Sequence, residues 1–169
     1  MAKPLQRAIT AFRGHPAVLW ATVFIALLLQ TVLPVRLPLA RLFDFPLLVT
    51  IYFAVGRRNK VFAIVLGTVI GLTQDALSSG LIGLFGMAKG LVGYLAATAS
   101  VKFEIEDVFG RLALTASLVL THGLFLAALH RVLLDPPPPF LPLVLVASTL
   151  ANTGLGLVLY LALDRVQNQ

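Results

Sequence analysis

GLTQDALSSG, residues 71–80, joins two apolar runs of the chain and places an acid, Asp75, at the end of the first run. Glycines continue into the second run, which also contains Lys89. Charged side chains are costly in lipid and need partners there, so Asp75 and Lys89 are both candidate site residues. The stretch therefore predicts a membrane hairpin, with the rest of the chain forming a scaffold around it.

The composition is that of an integral membrane protein. The chain has 169 residues, of which 59% are hydrophobic and 12% are charged, and its mean hydropathy is +0.95. A soluble domain is nearer to about half apolar and about one-quarter charged. At about 20 residues per crossing, the length allows five or six spans and no separate soluble domain. The absence of cysteine excludes disulfides, thiol redox chemistry and cysteine metal sites.

Six apolar runs predict an all-α membrane domain over residues 17–163. A basic tail, residues 1–16, precedes it, and a polar tail, residues 164–169, follows it. The second run is short for a full crossing, so we expect it to begin earlier, near Leu39, or to be tilted or partly sunk in the membrane. The predicted spans are 17–33, 46–55, 61–76, 81–100, 112–134 and 141–163.

The basic residues predict the orientation. A net charge of +6 and a pI near 10.3 would suggest nucleic-acid binding in a soluble protein. In a membrane protein, basic residues collect in cytoplasmic loops instead. With six spans and a cytoplasmic N-terminus, nine Lys and Arg residues fall inside, and three, Arg36, Arg41 and Arg131, fall outside. This asymmetry predicts that both termini are cytoplasmic and that the proline run at 136–139 is on the outer side.

Small residues line one face of the third span and one face of the fourth. Such faces let membrane helices approach closely, so we predict that these two spans pack against each other. An oligomer interface, such as that of a homodimer, is the competing use. The residues are Gly67 and Gly71 in the third span, and Gly86, Gly90, Gly93 and Ala97 in the fourth.

Lys89 lies about 12 Å into the fourth span, at a rise of about 1.5 Å per residue. Asp75 ends the third span across the turn. We predict a structural ion pair or hydrogen-bonded pair between these two residues, since each needs a partner in the membrane. A ligand-binding or proton-relay role is one alternative, and simple exposure at the outer interface is another.

The polar residues of the last two spans are interpreted as interhelical hydrogen-bonding groups. No motif predicts catalysis, because the chain lacks a nucleophile with a base and an acid, a phosphate-binding loop and a His-Glu-x-x-His sequence. The acids other than Asp75, Asp44 among them, all fall in predicted loops or tails. The residues on shared polar faces are Ser148, Asn152, Gly156 and Tyr160 in the sixth span, and Thr115 and His122 in the fifth.

The hairpin resembles that of the rod shape-determining protein MreD family. The match covers residues 27–94 by motif and the remainder by hydropathy. The chain departs from the family where members often have a Pro-Asp pair entering the second span, because here Asp44 precedes Phe45-Pro46, and no role is assigned to that acid. The matching residues are Gly71-Leu72-x-x-Asp75-x-Leu77-Ser78-x-Gly80-x-x-Gly83, Lys89 and Gly93-Tyr94, with Pro46-Leu47-Leu48, Tyr52-Phe53-Ala54 and Gly56-Arg57-Arg58 upstream.

The resemblance implies a multi-pass protein of the bacterial inner membrane that is neither an enzyme nor a cofactor protein. Its implied place is the cell-elongation complex, in which such proteins bind MreC through membrane helices. MreB and the peptidoglycan synthases of sidewall growth are implied as direct or indirect partners. Nucleic acid is not an implied partner, and the lipid bilayer is the surrounding medium.

The family also looks similar in fold to the S components of energy-coupling-factor transporters, which are compact six-helix bundles. A vitamin-binding transporter subunit is therefore the rival hypothesis, and Ala17-x-x-x-Ala21 resembles the contact that S components make with their coupling subunit. A binding pocket would need several convergent polar groups. The candidates are Gln74, Asp75, Lys89, Tyr94 and Asn152.

Overall fold

The computed structural model describes residues 16–78, 81–102 and 108–167, with side chains up to Leu163. Over these ranges the chain is all-helical, and six segments are long and apolar enough to cross a membrane. The predicted six-span bundle is therefore confirmed. The helices are α1 (Pro16–Arg36), α2 (Phe45–Arg57), α3 (Lys60–Leu77), α4 (Leu84–Lys102), α5 (Val108–Leu133) and α6 (Pro142–Gln167).

The second span is an interrupted helix. A 3-10 turn, Pro38–Leu42, precedes α2, and Phe43 and Asp44 between them are not helical. Turn, break and α2 together cover 20 residues, Pro38–Arg57, which is enough for one crossing. The expectation that the span begins near Leu39 is confirmed, and the break accounts for the short apolar run seen in the sequence.

Local sequence fixes the ends of α2 and α3. The Asp44 carboxylate accepts a hydrogen bond from the Leu47 amide at 3.0 Å, and proline occupies the first turn of α2, where no amide is needed. Arg58 ends α2 in the left-handed conformation, with φ of 50°. The Asn59 side chain then accepts from the Phe62 amide at 3.0 Å and begins α3. A two-residue connection therefore makes α2 and α3 antiparallel neighbours.

The packing divides the bundle into a core and a rim. α2 contacts every other helix, and α3 and α4 form the most extensive helix pair. In the spans of α2 and α4, 56% of residues are buried, against 22% for α1 and α5 and 17% for α6. The apolar faces of the rim helices are thus left for lipid or for other proteins.

Some predicted boundaries change, and others lie outside the described residues. α1 continues past Pro34 to Arg36, and α6 continues to Gln167, past the predicted end of the span at Leu163. Residues 1–15 of the predicted basic tail lie outside the described part of the chain, as do Ser79 and Gly80 of the hairpin turn and residues 103–107 of the fourth connection.

Candidate functional site: a buried polar junction

Six polar side chains from five segments meet around the break in the second span. Lys89 and Asn152 are fully buried, and His122 is 5% exposed. The group joins α1, the break, α4, α5 and α6, and we call it the polar junction. Its members are Gln30, Asp44, Lys89, His122, Ser148 and Asn152.

Side chains of α1 and α6 satisfy the backbone groups that the break releases. Asn152 accepts a hydrogen bond from the Asp44 amide at 2.8 Å through Oδ1 and donates to the Leu42 carbonyl at 2.7 Å through Nδ2. Gln30 accepts from the Phe45 amide at 3.0 Å and donates to the Phe43 carbonyl at 3.2 Å. Irregular backbone persists at membrane depth only where protein supplies such partners.

Ser148 adds a further hydrogen bond to the break. Its Oγ donates to the Leu42 carbonyl at 2.7 Å, and Asn152 Nδ2 lies 3.1 Å from the same Oγ. Ser148 and Asn152 are one turn apart on α6, so one face of this helix carries both contacts. The predicted polar face of the sixth span is therefore used between helices.

An ion pair lies at the centre of the junction. Lys89 Nζ is 2.7 Å from Asp44 Oδ2, and the Asp44 side chain is 15% exposed. The same ammonium lies 4.7 Å from the centre of the Phe85 ring, a cation–π distance. The pair joins α4 to the start of α2. Removing one member would leave the other charge unpaired in a low-dielectric site, which is strongly destabilising.

His122 completes the junction on the side of α5. Its ring stacks on Phe85 with centroids 6.3 Å apart, and Nε2 lies 3.9 Å from Asp44 Oδ2. That separation is longer than a hydrogen bond. Within the ranges that the structure describes, Nε2 is buried and has no hydrogen-bond partner. His122 therefore lies beside the ion pair without a hydrogen bond to it.

The predicted ion pair between Asp75 and Lys89 is wrong. The Asp75 carboxylate instead accepts three backbone hydrogen bonds, from the amides of Gly83, Phe85 and Gly86, at 2.9–3.1 Å. These amides belong to the turn before α4 and to its first residues, whose donors have no partner within the helix. Asp75 thus caps α4, and its negative charge suits a helix N-terminus.

The predicted packing of the third and fourth spans is confirmed, and the glycines form a seam between α3 and α4. A Cβ at Gly67 would collide with the Lys89 carbonyl, and one at Gly71 with the Phe85 carbonyl. From the other side, a Cβ at Gly93 would collide with the Ala63 carbonyl. Gly86 faces Leu72, and a Cβ at Gly90 would lie 2.6 Å from Thr68 Oγ1. The seam is therefore used for packing between two helices of the same chain.

The remaining candidate residues do not converge with the junction into one pocket. Tyr94 is 39% exposed, and Lys60 Nζ lies 5.8 Å from its ring centre. Gln74 is buried, and its Oε1 has no partner in the described part of the chain. Among the five polar groups considered for a ligand pocket, Lys89 and Asn152 both bond to Asp44, whereas Asp75 caps a helix.

Sequence reasoning missed Asp44, which it placed among the loop acids. The available signal was local: an aspartate directly before Phe45-Pro46 is a helix-capping pattern, with proline in the first turn. Reading that cap as lying inside the second span, rather than before it, would have placed a carboxylate at membrane depth. His122 was noted only as a hydrogen-bonding group on the fifth span.

Taken together, the fold and the site define a six-helix membrane protein whose buried polar groups join helices. Within the described residues, no group of three His, Cys, Asp or Glu side chains could hold a metal ion. The family model described as rod shape-determining protein MreD matches residues 12–136, about three-quarters of the chain. The chain belongs to this family, and its role is accordingly in determining rod shape.

The other two comparisons contribute no relative. The comparison with curated proteins and that with solved structures each gave no match. The expected likeness to S components of energy-coupling-factor transporters is therefore not confirmed. The transporter alternative is not supported, since the family match points to a shape-determining structural protein.

Proposed function

We propose that this chain is a non-enzymatic scaffold or regulatory subunit of the cell-elongation complex in the bacterial inner membrane. It binds MreC through membrane helices and, directly or through MreC, connects to MreB and to the peptidoglycan synthases of sidewall growth. Both termini are cytoplasmic in this proposal, as the basic-residue count predicts. The observation that carries the proposal is the family match over residues 12–136.

The chemistry of the junction supports a structural role. Asp44, Lys89, Asn152 and Gln30 all bond to one another or to the backbone of the break. Asp75 is used as a helix cap. Groups engaged in this way hold a fixed shape, which a scaffold needs in order to present the same lipid-facing surfaces to its partners.

The first experiment is a tagged pull-down from native membranes in mild detergent, followed by mass spectrometry. Recovery of MreC together with wall-synthesis proteins is the expected result. Recovery of a transmembrane coupling subunit with two ATPases would instead contradict the scaffold function. An unrelated tagged six-span protein, expressed at the same level, controls for non-specific capture.

A charge-neutral variant separates a scaffold from a ligand or proton site. Asp44→Asn with Lys89→Met removes both charges, keeps an oxygen to cap α2 and leaves no ion unpaired. In a strain that lacks its own copy, this folded double variant is expected to restore rod shape and to retain MreC. Spherical cells despite wild-type protein levels would show that the charges act in more than packing.

A further inference from the structure

A groove runs between α5 and α6, and the junction does not use most of it. Its volume is about 510 Å³, within the range of about 300–1,000 Å³ that small-molecule sites occupy. The walls are mainly apolar, with Leu124 and Ala127 on α5 and Leu145 on α6. Phe140, after the proline run, also lines the groove.

The ionisable side chains that line the groove lie at the end of α5. His130 and Arg131 lie there, in the last turn of the helix. The Arg131 side chain is exposed and makes no ion pair or hydrogen bond with any other residue that the structure describes. Arg131 is also one of only three basic residues assigned to the outer side, so its charge runs against the usual distribution.

The dimensions suit an amphiphile that lies along α5. Gly123 and Arg131, which both line the groove, are eight residues apart, or about 12 Å along the helix. Arginine binds phosphate oxygens with its planar fork of donors, and it does so at the edge of a membrane while its stem stays in apolar surroundings. A cationic end on an apolar groove matches a phosphate joined to a hydrocarbon chain.

We propose that this groove binds one anionic phospholipid. The phosphate contacts Arg131 and His130, and an acyl chain lies between Leu124, Ala127 and Leu145. The lipid would also reach the wall formed by Ser148, whose hydroxyl holds the Leu42 carbonyl of the break. Ser148 therefore belongs both to the groove and to the polar junction.

The test is native mass spectrometry of the purified protein with phosphatidylglycerol or phosphatidylcholine added. Phosphatidylglycerol is expected to be retained more strongly. Arg131→Gln should weaken its retention about tenfold, the loss expected for one charge-assisted contact. Arg36→Gln is the matched control, because it removes the same charge from the last turn of α1, away from the groove.

A second variant tests the hydrocarbon part. Ala127→Phe fills the groove and should reduce retention of phosphatidylglycerol, whereas Ala113→Phe, on the exposed face of α5, should not. Equal retention of the two lipids, or equal behaviour of Arg131→Gln and Arg36→Gln, would overturn the proposal. Full competition by inorganic phosphate at matched concentration would also overturn it, since it would show a headgroup site without a chain site. The comparison of Arg131→Gln with Arg36→Gln still tests the proposal if Ala127→Phe does not fold.

Discussion

Between α3 and α4 the two backbones touch through glycine, whereas around Asp44 the helices are joined by long polar side chains that reach across. The seam carries no charge, and its Gly67 and Gly93 lie against carbonyls of the facing helix. The junction fills its space with an ion pair and side-chain amides. The seam therefore depends on shape and should fail when an atom is added, while the junction depends on charge balance and should fail when one partner is removed.

The largest effect is expected from removing one charge of the junction. Asp44→Ala leaves the fully buried Lys89 ammonium without its partner and removes the cap of α2. Loss of one member of a buried pair costs about 3–5 kcal/mol. The free energy of unfolding, measured by detergent-denaturant titration, should fall by that amount.

The matched control for this prediction removes both charges. Asp44→Asn with Lys89→Met should recover most of the lost stability, because no unpaired charge remains. If the double variant is as unstable as Asp44→Ala, then charge balance is not what holds the junction.

The next largest effect is expected at the seam. Gly67→Ala places a methyl group against the Lys89 carbonyl, and backbone cannot rotate away as a flexible side chain can. Overpacking of this kind costs about 1–3 kcal/mol, and the high end is expected here. The measurement is the thermal unfolding midpoint in detergent.

Gly154→Ala supplies the control for the seam, because nothing lies within 4 Å of a Cβ at that exposed position of α6. Its unfolding midpoint should equal that of the wild type or exceed it slightly, since alanine favours helix more than glycine does. Equal destabilisation by both variants would mean that the seam is no more sensitive to shape than the rim.

A third prediction concerns the acid that the sequence assigned to the wrong partner. Asp75→Ala removes three hydrogen bonds from the start of α4 and should cost about 2 kcal/mol, as for a strong helix cap. In a double-mutant cycle, its coupling with Lys89→Met should stay below about 0.5 kcal/mol. The cycle of Asp44 with Lys89 should give a clearly larger coupling energy. A larger coupling for Asp75 with Lys89 would instead support the ion pair that the sequence predicted.

The seam could be predicted from the sequence, and the junction could not, for a physical reason. Glycines three or four residues apart lie on one face of a helix, so residues close together in the sequence are enough to predict that face. Gly67, Gly71, Gly86, Gly90 and Gly93 all lie where that period placed them. The six spans followed in the same way from the lengths of the apolar runs.

Choosing a partner for Lys89 required distances between segments that are far apart in the chain. Asp75 is 14 residues from Lys89, and Asp44 is 45 residues away. The nearer acid was the natural choice from sequence. Asp75 was already engaged by backbone amides of the turn after α3 and of the first residues of α4, and only the path of residues 81–86 reveals this. The break in the second span then brought the distant carboxylate to the depth of the lysine.

The smallest effect is expected at a neutral polar contact outside both regions. Thr115 Oγ1 donates to the Arg111 carbonyl at 2.7 Å and lies 3.0 Å from the Tyr160 hydroxyl, so the tyrosine is the donor between α5 and α6. Thr115→Val keeps the shape and removes this acceptor, and interhelical hydrogen bonds in membranes contribute about 0.6 kcal/mol on average. Ser117→Ala is the matched control, because that exposed hydroxyl bonds only to its own helix, at the Ala113 carbonyl. A loss of stability from Thr115→Val that exceeds the control but stays well under that of Asp44→Ala would confirm that this neutral contact contributes less than the ion pair. A loss as large as that of Asp44→Ala would show that neutral polar contacts, and not charge balance alone, hold the rim helices to the core.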